Sequence, residues 1–240
     1  MTRKKEQKEL CYRIAELNVK MNSFGRIIEQ SIPYLSESDS VPDFVITSNW
    51  PQVREKYPML SDSDGEYLFT GISFYRQLLN FNGMMLHASA VVVDEKAYLF
   101  SANSGTGKST HTKLWLEHFG NRAYILNDDK PALRLQDGIW YAYGTPWSGK
   151  HDISVNTGVP VAGIAMIERG ETNEISLWGG KDAISSVFSQ VNHPKDMAFR
   201  IKLLELLDRL FADVPIWKLR CNMDPDAMRV SYEAMSGKKL

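Results

Sequence analysis

The run Ala102-Asn103-Ser104-Gly105-Thr106-Gly107-Lys108-Ser109, between a β-rich stretch and a helix-forming one, constrains this 240-residue chain more than any other feature. Its two glycines open backbone conformations that residues with a Cβ avoid. Consecutive N–H groups can then converge on an anion at a helix N-terminus, where the helix dipole favours negative charge. Lys108 is spaced to reach terminal phosphates, and the Ser109 hydroxyl to meet a magnesium ion. With Thr110 in the first helical turn, Asn103, Ser104, Gly105, Thr106, Gly107, Lys108, Ser109 and Thr110 form the expected nucleotide-binding set. The usual first glycine of the eight-residue pattern is here Ala102, which adds one methyl group. Such spacing arises by chance in about one chain in a hundred of this length. The competing reading is a Gly-rich turn with a solvated lysine.

Nineteen residues beyond Ser109, at the end of the next expected strand, stands the pair Asp128-Asp129. Carboxylates there lie near such a loop and can hold a metal with Ser109 or accept a proton from an attacking hydroxyl. Asn127-Asp128-Asp129 before Lys130-Pro131 is also good turn chemistry, and a turn is the plain alternative. His87, just before a β-rich run, is placed to orient or tune an aspartate, although a histidine at a strand start is more often structural. The segment Gly144-Thr145-Pro146-Trp147-Ser148-Gly149-Lys150-His151 offers a hydroxyl, a flexible glycine and a cation. Ser148, Gly149 and Lys150 are therefore a candidate acceptor or anion loop, with an ordinary surface turn as the rival.

Around these motifs the pattern alternates between helix and strand. Residues 88–93 and 97–101 form an expected antiparallel hairpin feeding the Gly-rich loop. A helix over 109–118 ends at Gly120, and a short strand covers 123–126. Further hairpins are expected over 132–143 around Asp137-Gly138 and over 161–178 around Arg169-Gly170. Helices follow at 181–191 and 195–211, then a strand at 216–220 and a helix capped by Asp224 with Pro225 at its first position. Another helix is expected at 71–80. The 195–211 helix carries Met197, Ile201, Leu204, Leu207, Leu210 and Phe211 toward a core or a dimer partner. Residues 1–60 read as a looser N-terminal module, a candidate for acceptor recognition or for packing against the nucleotide domain. It has a mixed segment over 12–21, an extended piece over 26–30, a polar loop over 36–40 and a strand over 43–47. Residues 61–240 form the nucleotide-binding domain.

Composition sets the outer bounds. With 28 basic against 29 acidic residues and a formal charge of -1, no global field draws nucleic acid or an anionic membrane. Cys11 and Cys221 have no paired spacing and read as reduced thiols. The N-terminus lacks an apolar signal core, so a cytoplasmic protein is expected.

His87-Ala88, the hairpin, the loop 103–109 and Asp128-Asp129, taken in order, resemble the catalytic domain of HPr kinase/phosphorylase and its stand-alone relatives. The loop alone also resembles that of phosphoenolpyruvate carboxykinase. The likeness spans about residues 85–220. It implies an α/β mixed-sheet P-loop fold of the HPr kinase and PEP carboxykinase type, preceded by a small N-terminal module. It also implies phosphoryl transfer to a serine-type hydroxyl, with a histidine matching His87 supporting an aspartate that acts as base. The glycine-rich signature that HPr kinases carry downstream is replaced here by Gly144 to Lys150.

The expected activity is a magnesium-dependent kinase moving the γ-phosphoryl of ATP to a peptide, protein or small metabolite. Lys108 would neutralise charge, Ser109 with an aspartate would hold Mg2+, and Asp128 or Asp129 would act as base, with Asp128 preferred. A non-catalytic nucleotide-binding regulator is the alternative, and a simple hydrolase a third reading. The expected partners are a nucleotide and a hydroxyl acceptor, with homo-oligomerisation open and neither nucleic acid nor membrane involved.

Overall fold

The computed structural model describes residues 10–37 and 41–240. The charged N-terminal stretch 1–9 and the end of the expected 36–40 loop lie outside the described residues. The mixed 12–21 segment is a hairpin: β1 (Leu10–Ile14) pairs antiparallel with β2 (Leu17–Met21) through Ala15 and Glu16, at φ 50 and 61. The 26–30 piece is not extended. It forms a short helix, α1 (Arg26–Gln30), which buries Ile27 and Gln30. β3 (Phe44–Ile46) adds parallel to β2 and completes a three-stranded sheet.

After the single turn α2 (Trp50–Val53), helix α3 runs from Asp62 to Leu78. It starts well before the expected 71; polar residues and Gly65 in its first turns break the apolar period and hide those turns from it. Ser61 caps it by accepting the Asp64 N–H at 3.1 Å. Gly65 is required by packing, since a Cβ there would lie 2.2 Å from the Trp50 ring.

The main sheet uses β4 (Gly83–Met85), β5 (Ala88–Val93) and β6 (Lys96–Ser101) before α4 (Lys108–Phe119). β7 (Ala123–Asn127), β8 (Ala132–Gln136), β9 (Ile139–Tyr143) and β10 (Gly158–Arg169) follow. β11 (Glu174–Leu177), α5 (Gly180–Phe188), α6 (Met197–Asp213), β12 (Ile216–Cys221) and α7 (Asp226–Ser236) complete the chain. The strand order is β4-β8-β9-β10-β6-β5-β7, with β12 beside β10 and β11 beside β12. The architecture is therefore α/β with a mixed, curled sheet. Its last third departs from the expected pattern in two places. β10 and β11 do not form a hairpin, because β12 pairs with both of them, parallel to β10 and antiparallel to β11. Asp224 does not cap α7 with its side chain; its carboxylate accepts from Asn222, and the helix begins one residue later, at Asp226.

β5 is buried on both faces. Ala88, Ala90 and Val92 join a cluster with Val187 of α5 and with Leu203, Leu206, Leu207 and Leu210 of α6. Val91 and Val93 face the opposite cluster, with Trp115 and Phe119 of α4 and Tyr232 of α7. Helices thus cover the sheet on both sides. On α6 the expected stripe is only half right: Met197, Ile201 and Leu204 are exposed, because the sheet takes the neighbouring stripe that runs through Leu203 and Leu206. A third cluster joins Tyr12, Ile14 and Met21 of the hairpin to Phe74 and Tyr75 of α3 and to Trp147. Arg134 ties the same regions together, donating to the carbonyls of Ala15 and Phe81. No helix among the described residues is long and apolar enough to cross a membrane.

Direction of travel positions the site. β6, β7, β10 and β12 run parallel, so their C-terminal ends share one edge of the sheet, while β5 runs antiparallel and begins there. That edge gathers the Gly-rich loop, Asp128-Asp129 and His87, in the crevice where open α/β sheets bind ligands.

Candidate active site

The loop leaves β6 at Ser101. Gly105 and Gly107 take φ of 78 and 125, outside the range that side-chain-bearing residues favour. A Cβ on either would meet nothing within 4 Å, so dihedral freedom and not crowding calls for glycine. Ala102 is buried in the cluster with Phe100 and Trp115, so its extra methyl group is absorbed by the core. Gly107 is the N-cap of α4, whose first N–H groups have no partner within the helix. Arg169, at the end of β10, donates to the carbonyls of Gly105 and Thr106 and holds the loop from its outer side.

Lys108 is 9% exposed and donates to the Ala102 carbonyl at 3.0 Å. Burial lowers its pKa, while the charges of Asp129 and Asp128 work against that shift. Ser109 donates to Asp128 Oδ2 at 3.1 Å, and Ser89 donates to Asp128 Oδ1 at 2.6 Å. Both Asp128 oxygens are therefore fixed on the loop side. Asp129 turns the other way, with His87 Nε2 3.4 Å from its Oδ1 and the Lys130 ammonium on its Oδ2. Burial alone would raise the Asp129 carboxyl, but the contacts with His87 and Lys130 pull it down to about 2. His87 is held by Gln190, whose Oε1 lies 2.9 Å from its Nδ1.

Asn127 sets the directions of the two aspartates. Fully buried, it donates to Thr145, and its Oδ1 accepts the N–H groups of Asp129 and Lys130. The Asn-Asp-Asp turn and the carboxylate site are one structure, because the turn aims the acids apart.

His87, Ser104, Gly105, Gly107, Lys108, Ser109, Thr110, Asp128, Asp129, Ser148, Gly149 and Lys150 all line one cleft of about 480 Å³. Two expected residues stand aside. Asn103 accepts from Gln190, and Thr106 lines a neighbouring hollow on the α4 side. The 148–150 loop is largely committed elsewhere. Ser148 donates to Asp152 and accepts from Gln30, and the Gly149 N–H donates to the Tyr67 hydroxyl. Lys150 is left as that loop's exposed cation in the cleft. Sequence reasoning missed Ser89, Gln190, Arg169 and the role of Lys130. Only Ser89 left a trace, two residues from His87 on the same strand face.

Among the described residues no cluster of three or more His, Cys, Asp or Glu could hold a metal ion. Ser109 and Asp128 offer two adjacent oxygen donors. That set suits a hard cation that takes its remaining ligands from phosphates and water, as magnesium does.

No protein-family model matches the chain, and no curated protein matches it. Among solved structures, it is similar to the HPr(Ser) kinase/phosphatase from Coxiella burnetii, at 10% identity and a TM-score of 0.37, covering 64% of this chain and 95% of that one.

Proposed function

We propose that the chain is a magnesium-dependent phosphotransferase that moves the γ-phosphoryl group of ATP to a serine-type hydroxyl. The observation that carries this reading is the division of labour across one cleft. Lys108 and the Ser109–Asp128 pair stand on the loop side, and the His87–Asp129 pair faces them.

The triphosphate lies along the loop amides, with Lys108 against the β- and γ-phosphates. As the transition state spreads negative charge over the phosphoryl oxygens, these donors stabilise it without reorganising. Ser109 and Asp128 would hold a magnesium ion, which when bound would supply charge neutralisation at the phosphates. The acceptor hydroxyl approaches in line with the β–γ bridge. Its oxygen bonds to the γ-phosphorus, the bond to the bridging oxygen breaks, and ADP leaves with that electron pair. The hydroxyl proton passes to Asp129, which Lys130 and His87 hold ionised and aimed. The proton leaves late, after bonding to phosphorus has acidified the hydroxyl, in keeping with a loose transition state. This reading takes Asp129 as base and Asp128 at the metal, the reverse of the preference read from sequence, because Ser109 faces Asp128 and His87 faces Asp129.

The test is incubation with γ-labelled ATP and magnesium, following label released to water and label carried on added hydroxyl acceptors. The wild-type chain is expected to move label, and Lys108→Ala to abolish the movement. ATP binding with no label moved under any condition would leave a nucleotide-binding regulator, and no ATP affinity at millimolar concentration would end the reading altogether.

A further inference from the structure

A second cavity, of about 210 Å³, has no lining residue in common with the cleft but is joined to its Asp129 side through chain neighbours and one hydrogen bond. Tyr67, Gly71 and Tyr75 of α3 form one wall, and Met85, Lys130 and Trp147 close the others. Three of these residues lead directly into the site: Met85 precedes His87 by two positions, Lys130 follows Asp129, and Trp147 precedes Ser148. Tyr67 lines the cavity, and its hydroxyl accepts the N–H of Gly149, a residue of the cleft, at 3.0 Å.

The interior is mostly apolar, with Lys130 and Asn192 as the lining's long polar side chains. The Tyr75 hydroxyl is engaged by the Lys130 carbonyl and Thr145, and the Trp147 indole N–H by the Tyr67 carbonyl. Gly71 makes room for Trp147, since a Cβ there would come within 2.9 Å of the indole. A cavity of roughly 150 Å³ takes a benzene ring, so this open one has room for a single large aliphatic or aromatic side chain. Lys130 stands at the cavity wall with its ammonium on Asp129.

In-line transfer fixes where an acceptor must stand. With the phosphates against Lys108, the attacking hydroxyl comes from the Asp129 side, and whatever adjoins that hydroxyl lies over this cavity. Surface beyond the cavity argues for a polypeptide over a small metabolite. Leu68 and Ile72, on the lining, are 38% and 42% exposed. Exposed apolar side chains on the lining of a pocket suit a chain laid across it.

We infer that the cavity is the acceptor's specificity pocket, seating one large apolar side chain of a polypeptide whose adjoining serine-type hydroxyl is presented to Asp129. The inference rests on the phosphotransferase reading above and adds the class of acceptor. The acceptor oxygen gains the γ-phosphoryl group, ADP departs, and the proton passes to Asp129, as in that reading.

The experiment is a peptide library with one fixed serine and degenerate flanks, incubated with the protein and Mg-ATP and read for phosphopeptides by mass spectrometry. Large apolar residues are expected to be enriched about tenfold at a position adjoining the serine. Ile72→Glu and Leu68→Glu, both at exposed positions that do not test folding, are expected to reduce kcat/KM for those peptides about tenfold and to shift selection toward Lys and Arg at the same position. Phosphopeptides without apolar enrichment, or with enrichment that neither substitution alters, overturn the pocket and leave the phosphotransferase reading standing. Label that moves to water or small alcohols but to no peptide does the same. Failure to bind Mg-ATP overturns both.

Discussion

Asn substituted singly at Asp128 and at Asp129 separates the two roles. Asp129→Asn keeps the size of the side chain and its distance from His87 but removes the proton acceptor. A positioned general base contributes about 10²- to 10⁴-fold, or roughly 2.7–5.4 kcal/mol of barrier, and kcat is expected to fall by that amount. ATP affinity is expected to hold or improve, because an anion facing the γ-phosphate has been neutralised. Asp128→Asn leaves the Ser109 and Ser89 hydroxyls facing one amide oxygen in place of two charged ones. Exchanging a charge-assisted contact for a neutral one costs about 1.4 kcal/mol, so half-maximal rate is expected to require about tenfold more magnesium. Release of labelled phosphate to water measures both, since it needs no added acceptor, with magnesium titrated for each variant. The assignment is refuted if Asp129→Asn retains more than a tenth of kcat, or if the two variants exchange phenotypes.

Acid stability offers a measurement free of turnover. The Asp129 carboxyl sits at about 2 when folded, below about 3.9 for an unfolded aspartate. Its ionised form therefore contributes about 2 kcal/mol that is fully present above pH 4 and lost as pH falls through 2. Urea unfolding is expected to show Asp129→Asn less stable than wild type by about that amount at pH 7, with the gap narrowing below pH 4. Arg134→Met is expected to destabilise the fold by about 2–4 kcal/mol, because it strands the carbonyls of Ala15 and Phe81 in the core. Thermal or denaturant unfolding reads that directly.

The parts of the site that were legible were those whose chemistry depends on spacing. Gly105, Gly107, Lys108 and Ser109 announce a turn into a helix, and the acid pair at the end of the next strand announces the same edge of the sheet. The β1–β2 hairpin was hidden because its turn uses Ala15 and Glu16, neither of which signals the left-handed conformation both adopt. The β12 insertion between β10 and β11 was hidden because strand order depends on contacts across the whole chain. Gln190 and Arg169 reach the site from remote elements, and a single sequence gives no mark of that. Which acid faces which partner is decided by the Asn127 side chain, a detail invisible to periodicity.

Because β5 runs against its neighbours, its turn into β6 at Asp94-Glu95 lies a full strand from His87, roughly 20 Å away. The sheet thus has a cleft-bearing rim and a tolerant one: loops at the far rim can lengthen or accept a fused peptide without displacing a residue of the cleft, whereas one residue inserted between His87 and Ala88 would detach the histidine from its aspartate.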